Sequence, residues 1–244
     1  MKAPQRLSPA KRLRRMHDEL ARVYGPQHWW PAETAFQVVI GAYLTQNTAW
    51  KAVERSLANL REAGAMTFEG LRSLAVERLQ ELIRPSGFPT RKALALKAFV
   101  AMLEAEFGGS LKALAATPTP TLRERLIALP GVGPETADAI LLYALNHPVP
   151  VADEYLLRIV ERHRLISPAP GRNKAGYASL VQLTQEAFAT DPSETRALLF
   201  NEFHALTVGL GKAHCGRQPN CTGCPLAADL LSTYDELPKA HFRR

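Results

Sequence analysis

Outside one short segment the sequence has no cysteine. All three cysteines of the 244-residue chain fall at positions 215, 221 and 224, so no disulfide framework can staple the rest of the molecule. No apolar run reaches transmembrane length. The basic start, MKAPQRLSPAKRLRRMHDEL, has no apolar core of the kind a secretory signal needs. Together these absences predict a cytosolic, cytoplasmic protein with no membrane partner. Strand-like alternation is missing as well, and so are internal repeats and low-complexity tracts, which argues against sheets, solenoids and disordered tails.

What is present is helical periodicity almost throughout. Ser8-Pro9 opens a helix to residue 24. Phe36, Val39, Ile40, Tyr43 and Leu44 form the next apolar stripe, and Trp50, Val53, Leu57 and Leu60 another. Leu71–Ile83 reads as one helix and Arg91–Phe107 as the next, stopped by Gly108-Gly109. After the linker ATPTPT, Thr121 and Glu124 form a capping box for a short helix to Ala128. Further helices are expected at 154–163, 174–189 and 193–213, with a short one at 226–233. The fold class is all-α, roughly ten helices. Most prolines fall at their boundaries, where a missing N–H costs little.

Net charge is +7 and the isoelectric point is near 9.5. A basic balance favours polyanions, through phosphate neutralisation and counterion release. Charge alone does not separate a nucleic-acid binder from any other basic protein. A local pattern does more. In LPGVGPETADAILLYA, residues 129–144, Gly131 and Gly133 are free to take positive φ and leave the backbone uncovered. Pro134 suits the first position of the following helix. The amides of the turn and the helix N-terminus then form an anion nest for a phosphodiester, without base specificity. The plain alternative is an αα-hairpin whose amides meet only water.

This segment resembles the helix-hairpin-helix of the endonuclease III superfamily of DNA glycosylases. NHPVPVAD resembles the loop that carries the family's catalytic aspartate, here Asp153. YLTQNTAWKAVERSL resembles its early helix pair, whose glutamine, here Gln46, fills the space left by a flipped-out base. CGRQPNCTGCPL resembles its iron–sulfur loop. The resemblance spans residues 20 to 230. It implies two helical domains flanking a DNA cleft, with 33–150 as the helix-hairpin-helix domain and 1–32 plus 151–244 as the second. It also implies a monomer that binds double-stranded DNA containing a damaged base. The DNA contacts would come from Gln46, Gly131, Val132, Gly133 and Thr136.

A glycosylase breaks the C1′–N bond of an extruded nucleotide, and a carboxylate stabilises the oxocarbenium-like sugar or activates water. By resemblance Asp153 supplies that carboxylate. By residue type alone it is also a good N-cap for the 154–163 helix, and the two roles are compatible. Bifunctional members attack C1′ with a hairpin lysine. The matching position here is Glu135, which cannot form an imine, so AP-lyase chemistry is not expected. Glu135 also serves as a favourable charge in the first helical turn.

The loop GPQHWWPAET carries paired tryptophans, which either plug an interface or stack on an extruded base. WWPAET, LTQNTAW, IRPSGF, GPETADAILLYA and NEFHAL together resemble the narrower 3-methyladenine DNA glycosylase III group, which lacks the lysine. This makes Trp29, Trp30 and Trp50 candidate pocket residues for a cationic alkylated purine. His204 in NEFHAL reads as a buried helical histidine rather than a ligand.

The spacing Cys215-x5-Cys221-x2-Cys224 is a metal-centre signature, and the resemblance makes it a [4Fe–4S] cluster. The family's fourth cysteine position holds Leu230. Asp229 or His214 as a ligand, a three-cysteine cluster, and zinc with His214 all remain open. The loop would place Lys212 and Arg217 near phosphates. The expected function is base excision by a monofunctional glycosylase preferring alkylated purines such as 3-methyladenine. The rivals are an endonuclease III-like glycosylase and lyase acting on oxidised pyrimidines, and a damaged-DNA-binding module without catalysis.

Overall fold

A computed structural model describes residues 7–234; the first six residues of the basic N-terminal stretch lie outside them. Among the described residues every regular element is helical. In chain order these are α1 (Pro9–Tyr24), α2 (Ala35–Leu44), α3 (Trp50–Glu62), α4 (Phe68–Ser73), α5 (Val76–Ile83), α6 (Pro89–Phe107) and α7 (Leu111–Ala115). Then come α8 (Thr119–Ala128), α9 (Pro134–Ala139), α10 (Glu154–Arg162), α11 (Lys174–Ala187), α12 (Arg196–Ala213) and α13 (Ala227–Tyr234). Short 3-10 turns occupy Arg84–Ser86 and Ser193–Thr195, and a π-helical turn occupies Ile140–Ala144. None of these helices is long and apolar enough to cross a membrane.

Local signals explain most boundaries. Ser8 caps α1 by accepting the Lys11 amide, with proline at the first position. Thr34, Thr67, Ser110 and Asn173 cap α2, α4, α7 and α11 in the same way. Three boundaries differ from the sequence reading. The expected helix 71–83 is two, because Leu74 turns extended (ψ 131°) and releases the chain between α4 and α5. The Thr121–Glu124 capping box does not form, because α8 begins earlier at Thr119, with Pro118 as its cap and no side-chain bond. The run 137–145 is not one regular helix, since the Leu145 amide reaches back to Ile140 O across a π turn.

The chain divides into two compact units, Met1–Trp29 with Pro150–Arg244, and Trp30–Val149. The second unit is built around α2, whose residues Phe36–Leu44 are all buried. A helix apolar on every side belongs at a centre. Tyr43, Leu44, Leu96, Phe99, Leu122 and Ile140 pack there. Each leucine, isoleucine or phenylalanine among them contributes roughly 1.5–3 kcal/mol on burial. In the first unit α1 packs on α11 and α12, and α10 packs on α12. Leu13, Leu20, Leu156, Val160, Phe188 and Phe203 are among its buried residues. The contact of α10 with α12 is close. A Cβ on Gly211 would lie 2.1 Å from the Tyr155 ring, so only glycine fits there.

Candidate functional site

The helix-hairpin-helix lies in the second unit and consists of α8, the turn 129–133 and α9. An ion pair buried at its aspartate end locks it. Asp138 is fully buried, and both its oxygens accept from Arg123, at 2.6 Å (Nε) and 2.9 Å (Nη2). Gly131 has φ +74°, the left-handed conformation that favours glycine. Gly133 differs from expectation. Its φ is −94° with extended ψ, and it serves as the N-cap of α9. Val132 is buried and its amide bonds Leu129 O at 3.2 Å, so it holds the turn rather than facing outward. Gly131 and Gly133 are exposed, and no acceptor among the described residues takes their amides. Thr136 is half-buried and Glu135 is exposed in the first turn of α9.

Gln46 reaches this turn, its Nε2 donating to Gly131 O at 3.1 Å. Gln46, Asn47, Phe88, Arg91, Lys92, Pro130 and Gly131 line a recess of about 240 Å³, with Tyr43 at its buried side. Sequence reasoning had marked only Gln46 and Gly131 among these residues, and two of the others stand out. Phe88 is 60% exposed with φ +49°; a phenyl held out in a left-handed turn is an outlier that only surrounding structure maintains. Lys92 is buried in the middle of a polar knot. Its Nζ donates to Leu44 O (2.8 Å), Thr48 Oγ1 (2.7 Å) and Ser86 O (2.7 Å). Burial lowers its amine to about 8. The knot ties the turn bearing Gln46 to the turn bearing Phe88. With all three neighbouring oxygens to serve, Lys92 is a strut rather than a nucleophile.

The aromatic candidates separate. Trp30 and Trp50 meet edge to face at 5.7 Å. Tyr143, from the π turn, joins them at 5.4 Å from Trp30, and Trp50 Nε1 donates to Glu54. Trp29 belongs to the other unit, where Lys212 Nζ lies 5.8 Å above its ring. Tyr143 gave no sequence signal, because regular helical spacing does not describe the turn that presents it.

Asp153 caps α10, its Oδ1 accepting the Leu156 amide at 2.9 Å. Its Oδ2 faces His204 Nε2 on α12 at 3.8 Å. The side chains are 13% and 11% exposed, so the carboxylate is sheltered but not sealed. His204 is buried, as its sequence position suggested, yet it faces the candidate carboxylate.

In the cysteine loop Arg162 Nη1 donates to Cys215 Sγ at 2.9 Å, and its Nη2 donates to Gly216 O and Arg217 O. Burial, with Cys221 and Cys215 nearby, raises the Cys224 thiol, while the Leu226 and Ala227 amides pull it down. Of the fourth-ligand candidates, Asp229 is engaged on both oxygens and His214 on one ring nitrogen. Asp229 accepts from Arg12 at 3.1 and 2.5 Å and bonds His163 at 2.8 Å. Burial would raise its carboxyl, but His163 and Arg12 outweigh that and hold it low. His214 Nδ1 bonds Asn220 O. No three His, Cys, Asp or Glu side chains converge on a single ion position among the described residues. Three cysteine sulfurs alone do not complete a four-ligand centre, and no chemistry is assigned to one.

The family model of HhH-GPD superfamily base excision DNA repair proteins matches residues 40–182. A Methanocaldococcus jannaschii protein whose name assigns it to the DNA repair glycosylases is 37% identical, covering 86% of this chain and 91% of its own. The thymine-DNA glycosylase of Aeropyrum pernix is 29% identical, covering 88% and 91%. The crystal structure of H. pylori 3-methyladenine DNA glycosylase bound to 1,N6-ethenoadenine matches with a TM-score of 0.70 at 26% identity, covering 84% of this chain and 98% of that one. The chain belongs to the HhH-GPD superfamily of base excision DNA repair proteins, and with it to the DNA N-glycosylases.

Proposed function

We propose that this glycosylase is monofunctional, that Asp153 drives base release by water, and that alkylated purines are its preferred lesions. The carrying observation is the state of Asp153: one oxygen held by a backbone amide, the other within 3.8 Å of His204 Nε2 and, among the described residues, paired with no lysine or arginine. A sheltered carboxylate with an open oxygen suits a cationic sugar. As the C1′–N bond breaks, its electron pair leaves with the base. Water adds to C1′ and its proton passes to the Asp153 carboxylate. A cationic alkylated purine leaves as a neutral base, so little acid catalysis is required.

The hairpin turn, with exposed glycines and unclaimed amides, suits a phosphate of duplex DNA. Gln46 and the exposed Phe88 flank it and suit the gap left by an extruded base. Trp30, Trp50 and Tyr143 supply π faces, which attract a cationic purine more than a neutral base. The likeness to the 3-methyladenine enzyme supports the purine reading. Glu135 in the hairpin leaves no amine there for an imine. A second reading, a pyrimidine substrate, draws on the thymine-DNA glycosylase relative. The test is a panel of duplexes, each with one modified base, assayed for base release with and without borohydride. Release of 3-methyladenine without trapped enzyme is the expected result. Release confined to pyrimidines would replace the purine reading, and efficient trapping would replace hydrolysis by imine chemistry.

A further inference from the structure

His204 sits on α12 directly across from the cap of α10, and two features fix that juxtaposition. Gly211 lets Tyr155 press against α12, which sets the spacing of the helices. The second is on Asp153, where the Leu156 amide takes Oδ1 and the remaining oxygen points to His204 Nε2 at 3.8 Å. The histidine is 9% exposed, so neither group is fully solvated and each is the other's acid–base neighbour. Closing the gap by about 1 Å gives an ordinary hydrogen bond.

We propose that His204 is a positioning residue for Asp153, its Nε2–H donating to Oδ2 and turning the carboxylate toward the reacting carbon. This rests on the reading of Asp153 given above. The chemistry of the donor matters. One backbone bond leaves the carboxyl group free to rock, and a second donor removes that freedom before the transition state is reached. An imidazole N–H orients the carboxylate through a single hydrogen bond. An arginine in the same place would neutralise it, as Arg123 does for Asp138.

If His204 merely fills space, any side chain of similar volume will serve. If it positions Asp153, only a donor will. The experiment compares His204→Gln, whose amide N–H can reach Oδ2, with His204→Leu, which has no donor. Single-turnover base release is measured at saturating enzyme on a duplex carrying one 3-methyladenine. Affinity for a duplex with a stable abasic-site analogue and thermal unfolding are measured alongside. The Leu variant is expected to release base about tenfold more slowly, the worth of one hydrogen bond, with abasic-site affinity unchanged, while the Gln variant recovers most of the rate. If the Leu variant does not fold, His204→Met, which also lacks the donor, replaces it. An unchanged rate in the donor-less variant overturns the inference, and so does equal slowing in both variants. Asp153→Asn is the control: if it releases base at the wild-type rate, the reading of Asp153 itself has failed. If it abolishes release while the histidine variants behave as wild type, only the role of His204 has failed.

Discussion

Two aspartates, Asp138 in the hairpin and Asp153 at the head of α10, stand fifteen residues apart in sequence and in opposite electrostatic circumstances. Asp138 is fully buried, and both oxygens rest on one guanidinium. Its charge is spent on joining α8 to α9. Asp153 gives one oxygen to a backbone amide and keeps the other beside an imidazole. Burial alone would have singled out Asp138 rather than the carboxylate proposed to act on the sugar. What distinguishes a chemical group from a strut here is whether its charge is already answered.

The comparison breaks first on stability. Asp138→Ala removes the carboxylate that joins α8 to α9, while the Arg123 side chain, 36% exposed, keeps access to water, so the change is expected to cost about 2 kcal/mol in denaturant unfolding, the scale of charged hydrogen bonds, with the base-release rate of the folded fraction unchanged. A stability near that of the wild type would mean that the pair is not a strut. The next effect falls on the aromatic group. Trp30→Ala should lower kcat/KM for a cationic purine by about tenfold, the scale of one sheltered cation–π contact, and lower that for a neutral base less. Equal losses would remove Trp30 from base selection. The effect of Asp153→Asn on stability should be small. Asparagine caps helices as well as aspartate, so unfolding should change by less than about 0.5 kcal/mol.

Lys92 adds a third buried charge and a pH test. Its folded-state amine is lowered to about 8 from an ordinary 10.5. Between those values the unfolded chain holds a proton that the folded chain has released, so folding is favoured as pH rises through this window. Relative to Lys92→Met, the wild type should therefore gain stability from pH 8 to 10.5. A parallel course for the two proteins would mean that the amine is not held down by burial.

Much of this was legible in the sequence because it is written locally. Ser8-Pro9 announces a helix start, and Asp153 announces its own cap. The glycine turn is visible from LPGVG, although only Gly131 needs a left-handed φ. What stayed hidden depends on distant partners. Periodicity runs straight through Leu74, where the chain breaks without a glycine or proline to mark it. It also runs through 140–144, where the π turn swings Tyr143 toward Trp30. Lys92 looks like a surface lysine until Leu44, Thr48 and Ser86 close around it. Phe88 looks like a core residue and is exposed. His204 was read correctly as buried, but the residue it faces is fifty-one positions upstream, at the cap of another helix, which no local pattern reports.

The most direct measurement is single-turnover base release from a duplex carrying one 3-methyladenine, with Asp153→Asn and Asp138→Asn assayed beside the wild type under conditions where all three are folded. Loss of about a thousandfold is predicted for Asp153→Asn, the scale of removing one preorganised electrostatic group, and a near wild-type rate for Asp138→Asn. Base release by Asp153→Asn at the wild-type rate would contradict the account.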